Sequence, residues 1–253
     1  MIQQWLELSQ KDFRELNREA TWAIIPISSI EQHGFHLPVG TDTLILKSTL
    51  EAIKDGVETS RTLLQLPQLY YGKSTEHTNF PGTITLSPET IQSMLYDIVA
   101  SLVHHDFRNI IIINSHGGNS GLLEGLLYDL RIKYQVNIYM LHLSSVFRNA
   151  DKSAEFDWPH SAHAACFETS FMLYQYPKLV KKDLIPKESL SSEGFEFFKT
   201  IIGNVAWGWA IEDLSPTGYI GSPQLASMEK GKEIVSKLST SLSALIKTIV
   251  EGP

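Results

Sequence analysis

Residues 109–119 read Asn109-Ile-Ile-Ile-Ile-Asn114-Ser-His-Gly-Gly-Asn119. Four consecutive isoleucines bounded by asparagines make a strand with no polar face. Such strands belong to parallel sheets that are covered on both sides. The polar tail, with His116 beside two glycines, opens at the strand's carboxyl end. Ligands of open α/β sheets bind at that end.

Working outward, Trp22 to Ser28 is a second apolar run, weakened by Pro26, which has no N–H for a ladder. Asp42 to Asp55 has helical spacing at Leu44, Leu46, Leu50 and Ile53. Leu63 to Tyr71 predicts another strand, followed by a polar loop over residues 72–85. Ser87-Pro88-Glu89 predicts a helix start: a serine cap, proline in the first position and an acid in the first turn. Its apolar stripe is Ile91, Leu95, Ile98, Val99 and Leu102. Gly121 to Tyr134 predicts the next helix and Val136 to Leu143 the next strand. Leu6 to Asn17 and Met228 to Val250 predict helices towards the two ends. Alternating strands and helices imply an α/β fold, with a mostly parallel sheet between helical layers. The aromatic, turn-rich region 151–224 reads as an elaboration of the same domain, so residues 1–253 form one domain.

Of the 253 residues, 43% are apolar and 19% charged, which supports a sizeable core and excludes a disordered chain. The formal net charge of -7 gives no electrostatic reason to expect nucleic acid or a membrane as partner. Cys166 is the single cysteine, so no internal disulfide forms, and it reads as a small packing residue. There is no signal-peptide pattern and no run of about 18 apolar residues, so a cytoplasmic protein is expected. Trp158, Trp207 and Trp209 lie in turn-rich segments, where they wall a pocket, shape an interface or pack in the core.

The first strand opens into Ser29-Ile-Glu-Gln-His-Gly-Phe-His-Leu-Pro38, then Thr41-Asp42. Two strand ends thus deliver Glu31, His33, Asp42 and His116 to one edge of the sheet. Carboxylate and imidazole ligands suit zinc, manganese or iron, and a compact acid such as Asp42 can bridge two cations. Gly34, Gly117 and Gly118 allow close backbone approach. On the residues alone two readings stand: a metal set, or polar side chains that satisfy loop backbone.

The 29–42 stretch strongly resembles the first motif of the creatininase family of amidohydrolases. Residues 114–119 look like its second motif, and His163-Ala-Ala-Cys-Phe-Glu-Thr-Ser170 looks like its third. Thr75-Glu-His77, Phe80-Pro-Gly-Thr83, Ser215-Pro-Thr-Gly218 and Gly221-Ser-Pro223 also match family patterns. The resemblance implies a three-layer α/β/α fold and a two-metal site, occupied by zinc, manganese or iron. It implies that Glu31, Asp42 and His116 hold one divalent cation, and that His33, Asp42 and Glu168 hold the other. It implies a homo-oligomer, commonly a hexamer, acting on a small-molecule substrate. The expected activity is cleavage of an amide, formamide or cyclic C–N bond by water that the cations activate. His163 is the expected catalytic group, carrying a proton to the leaving nitrogen. His36, Glu76 and His77 are expected substrate-binding residues.

The chain departs from the family pattern at three places. Gly118 stands where creatinine-cleaving members carry a catalytic glutamate, Ala162 where they carry an acid, and Ala165 where glycine is common. Creatinine is therefore disfavoured as substrate, and Glu76 is the candidate to replace the carboxylate missing at 118. The second motif resembles formamide-cleaving and ring-opening members more closely. Two other readings compete. One is a non-catalytic metal-containing binding or scaffold protein. The other is a metal-free serine hydrolase using Ser115 or Ser120, although no G-x-S-x-G elbow is present.

Overall fold

The computed structural model of the chain describes residues 1–151, 156, 162–201 and 204–252; Trp158 lies outside them. The chain opens with β1 (Ile2–Gln4), a short 3-10 turn (Trp5–Glu7) and α1 (Gln10–Glu15). Then come β2 (Thr21–Ile27), α2 (Thr41–Ile53), β3 (Thr62–Gln65), α3 (Pro88–His104) and β4 (Asn109–Asn114). α4 (Ser120–Tyr134), β5 (Asn137–His142) and α5 (Leu143–Ala150) complete the alternating part. Among the described residues after them the α-helices are α6 (Cys166–Gln175), α7 (Glu193–Ile201), α8 (Ile211–Leu214) and α9 (Met228–Glu251).

Among the described residues five strands form one parallel sheet in the order β1-β3-β2-β4-β5. Alternation along β4 shows why it reads as apolar throughout. Ile111 and Ile113 face one layer, with α2, α5, α6 and α9, while Ile110 and Ile112 face the other, with α3 and α4. The expected three-layer architecture is present. Ser87 caps α3 as predicted: its Oγ accepts the Thr90 N–H at 3.2 Å. Along α9, Ile234, Leu238, Leu242 and Ile246 recur at helical spacing and are all fully buried. Among the described residues no helix is long and apolar enough to cross a membrane.

Three local expectations change. β1 is an unpredicted strand of three residues, too short for alternation to register. The helix expected over 6–17 shrinks to α1, because Ser9 caps it late in a capping box with Asp12. The strand expected over 63–71 stops at Gln65, just before Pro67. Pro26 tolerates its central place because the β2–β3 register ends at Ile24↔Gln65. Beyond that break its carbonyl accepts the Leu69 N–H at 2.9 Å.

The connection after β2 crosses one face to β3, and the next crosses the other face to β4, so the switch point lies between β2 and β4. Ile27 and Asn114 pair at the carboxyl ends of those strands, so their two loops start side by side. A separate cluster of Leu190, Phe195, Ile211, Leu214 and Ile220 packs Trp207 and Trp209 in the C-terminal half.

The α6–α9 contact gives a paired prediction. A Cβ at Gly231 would overlap the Ser170 carbonyl oxygen, whereas one at Gly125 in α4 meets nothing within 4 Å. Gly231→Ala should destabilise by about 1–3 kcal/mol, and Gly125→Ala should stabilise by about 0.5–1 kcal/mol. Denaturant unfolding of the two variants checks both signs.

Candidate metal centre

Glu31 and His33 lie on the loop after β2, Asp42 in the first turn of α2, His116 just after β4, and Glu168 in the first turn of α6. Gly34, at φ 63°, turns the first loop. All five come together, and Glu31, His33, Asp42 and His116 are at most 4% exposed. Ligand atoms of Glu31, Asp42 and His116 lie within 4.8 Å of one another, and so do those of His33, Asp42 and Glu168. Asp42 belongs to both of these sets; donor atoms of Glu31, His33 and His163 lie as close together in a third.

Each histidine faces the cluster with one nitrogen and anchors the other. His33 Nδ1 donates to the Glu31 carbonyl at 3.1 Å, leaving Nε2 at 3.5 Å from Asp42 Oδ1 and 3.9 Å from Glu168 Oε2. His116 Nε2 donates to the Lys73 carbonyl at 2.8 Å, leaving Nδ1 at 3.0 Å from Asp42 Oδ2. This is how metal-ligating histidines are oriented. Glu31 Oε2 and His33 Nε2 are buried and have no hydrogen-bond partner among the described residues. Buried acceptors without donors are costly, and one cation in each set would satisfy them. The residues present therefore fit divalent metal.

Without a cation, protons take that place. Burial pushes Asp42 up, but His33 beside it more than offsets this and holds the carboxyl well below its usual range. Burial pushes Glu31 up, and His116 reverses the shift. Burial lowers His33 and Asp42 raises it, to about 9 overall; His116 rises well above its usual value, with Glu31 opposing its burial. Burial raises Glu168 to about 7. Its Oε2 accepts the Ala164 N–H at 2.5 Å, and Ala164 adopts the left-handed conformation at φ 48° to offer it.

His163 lies against this cluster. Its Nε2 donates to the Gln32 carbonyl at 2.8 Å, and its Nδ1 is 3.5 Å from Glu31 Oε1. His77 and Glu76 line the same cavity of about 270 Å³, whose wall also includes Trp209, Ile220 and Ala162. Burial holds His77 down to about 3. A Cβ at Gly118 would overlap Glu76 Oε1, so the Glu76 carboxylate occupies the space that a side chain at 118 would need. Lys73 Nζ pairs with its other oxygen at 2.8 Å.

His36 departs from expectation. It is fully buried behind the cluster, bonded through Nε2 to Thr169 Oγ1 at 2.9 Å, and is not among the cavity's lining residues. The two serines are occupied elsewhere: Ser115 Oγ donates to the Asp42 carbonyl at 3.0 Å, and Ser120 Oγ lies 3.4 Å from His142 Nδ1. Cys166 is fully buried in the core, as a packing residue would be. The residues alone gave no sign of Lys73, Ala164 or the Gln32 side chain at the site, and Glu168 emerged only through resemblance.

Comparisons with known proteins accord with this picture. The creatininase (creatinine amidohydrolase) family pattern matches residues 6–246. The chain is 29% identical over 241 residues to a mycofactocin precursor peptide peptidase of Mycobacterium ulcerans, covering 92% of this chain and 88% of the relative. It is 26% identical to a 3-dehydro-scyllo-inosose hydrolase of Thermotoga maritima, covering 96% and 82%. A protein of Bacteroides fragilis described as a creatinine amidohydrolase has the same fold, with a TM-score of 0.78 at 23% identity over 99% and 97% of the two chains. Similar folds include a creatininase in a zinc–zinc form, at TM-score 0.76 and 23% identity over 96% of each chain. Another is a manganese creatininase, at 0.73 and 22% over 98% of each.

The proton-for-cation substitution predicts a pH signature. In chelated protein His33 holds its proton to about 9 when folded but to 6.5 when unfolded. Its contribution is therefore complete below 6.5 and lost as pH rises to about 9, and His116 adds in the same direction. Saturating zinc should remove most of this slope, because the zinc-bound ligands hold no proton and, above 6.5, the unfolded chain holds almost none. Thermal unfolding between pH 7 and 9, with and without zinc, measures both slopes.

Proposed function

The chain belongs to the creatininase family, and on that premise we propose that it is a metal-dependent hydrolase cleaving an amide, formamide or cyclic C–N bond of a small polar molecule. The observation that carries this reading is the pair of buried, unpartnered acceptors, Glu31 Oε2 and His33 Nε2, gathered around Asp42. Glu31, Asp42 and His116 would hold one cation, and His33, Asp42 and Glu168 the other. Bound zinc, manganese or iron would supply Lewis acidity and an acidified water.

The chain's own residues do the rest. His163 commits its Nε2 hydrogen to Gln32, so Nδ1 is the nitrogen that takes a proton from the attacking water. The same nitrogen returns that proton to the departing amine as the C–N bond breaks. His77 and Glu76 present polar atoms to the substrate from the cavity wall. Glu76 restores a carboxylate that Gly118 cannot provide, by another route. His36 has no place in this account; it supports the loop from behind.

The relatives are named for a peptide, an inosose and creatinine, so family membership alone does not choose the substrate. Cavity size favours a small molecule. The same reading takes residues 1–253 as one catalytic domain in a cytoplasmic homo-oligomer, which light scattering would test. Gly118 and Ala162 favour the competing reading, a metal-holding protein without turnover.

Elemental analysis of protein purified without chelator should find about two zinc, manganese or iron per chain, lost in Asp42→Ala. Loaded protein should hydrolyse at least one member of a panel of amides, formamides and cyclic ureas. His163→Ala should keep its metal and lose about 100-fold or more in kcat, and Glu76→Gln should lower the rate on the same substrate. Full metal content with no turnover across the panel would favour the non-catalytic reading.

A further inference from the structure

Gln32 sits between two ligands, yet its side chain turns away from the cations' place. Its Oε1 accepts the Gly34 N–H at 2.8 Å, and its Nε2 donates to the Gly218 carbonyl at 2.9 Å. A backbone N–H can only donate and a carbonyl can only accept, so these two bonds fix which end of the amide is nitrogen. Gly218, at φ 82°, has no room for a Cβ, which would overlap Gln32 Oε1. The second Nε2 hydrogen points to His77 Nδ1 at 2.8 Å. The remaining neighbour, His163 Nε2 at 3.2 Å, already gives its hydrogen to the Gln32 carbonyl.

We propose that the Gln32 amide is a positioning residue that sets the tautomer of His77 and thereby selects which Glu31 oxygen is left for a cation. The inference deepens the two-cation reading above and rests on it. A nitrogen that accepts from Gln32 carries no hydrogen, so the proton of neutral His77 sits on Nε2. That Nε2–H faces Glu31 Oε1 at 3.6 Å. Oε1 thus has the His77 N–H before it, beside the His163 Nδ1 lone pair at 3.5 Å, while Oε2, buried without a hydrogen-bond partner among the described residues, lies 3.3 Å from His116 Nε2, whose hydrogen goes to the Lys73 carbonyl. In the other tautomer a second lone pair would face Oε1 beside that of His163 Nδ1, and Oε1 would lose the N–H that marks it off from Oε2. Through Gly218, the same amide ties the C-terminal half of the chain to the metal loop.

The test uses the full chain labelled with 15N-histidine and read by two-bond 15N–1H correlation, first without metal and then with zinc. The expected wild-type result is a His77 ring protonated at Nε2, assigned by its disappearance in His77→Gln. Gln32→Glu replaces the donor by an acceptor. It should move the His77 proton to Nδ1 and raise the zinc dissociation constant about tenfold or more in a chelator competition. Gln32→Met, which fills the space without a donor, should give mixed tautomers and a smaller loss of zinc affinity. A purely space-filling role would leave the tautomer unmoved in both variants, and that result overturns the proposal. So does a wild-type His77 protonated at Nδ1, which needs no variant to fold. The tautomer is read independently of turnover. Intact zinc binding with the expected tautomer and no hydrolysis therefore removes the catalytic reading and leaves this one standing.

Discussion

Three carboxylates, Glu31, Asp42 and Glu168, share one buried cluster, and folding tolerates this only if positive charge joins them. His33 and His116 are the chain's own answer, each anchored at its far nitrogen to a backbone carbonyl and aimed inward with the other. Protons on those rings can balance the acids, and so can cations. The fold is arranged around delivering the five groups. Parallel pairing of β2 with β4 starts two of the loops side by side, and the first turns of α2 and α6 bring the remaining acids.

Burial on both faces made β4 legible, since it leaves an unmixed apolar string. Glu31, His33, Asp42 and His116 stood out as candidates because they follow strand ends in order, and the fold does bring them together. Glu168 was not. In the sequence it is an acid in a helical first turn, and only the approach of α6 to the sheet edge gives it partners. His36 misled for the opposite reason. It shares the loop and the chemistry of His33, but the chain turns at Gly34 and sends it back to Thr169. The end of β3 was hidden because Leu66 and Leu69 keep packing on the core from irregular chain after regular pairing with β2 has stopped.

Gly118 shows why a motif compared position by position can misstate a site. The column loses a carboxylate, yet the volume beside His116 does not, because Glu76 enters it from the loop over residues 72–85 with Lys73 holding its far oxygen. Ala164 is a smaller case. A left-handed alanine costs about 1–2 kcal/mol, and here the conformation aims an N–H at Glu168. Strain of this kind gathers where a ligand must be held.

The two ligand sets differ in where the chain supplies them. Glu31, Asp42 and His116 all precede α4, whereas Glu168 belongs to α6, well into the C-terminal half. On the two-cation proposal, synthesis from the N-terminus delivers every donor of one site before the last donor of the other, with Asp42 common to both.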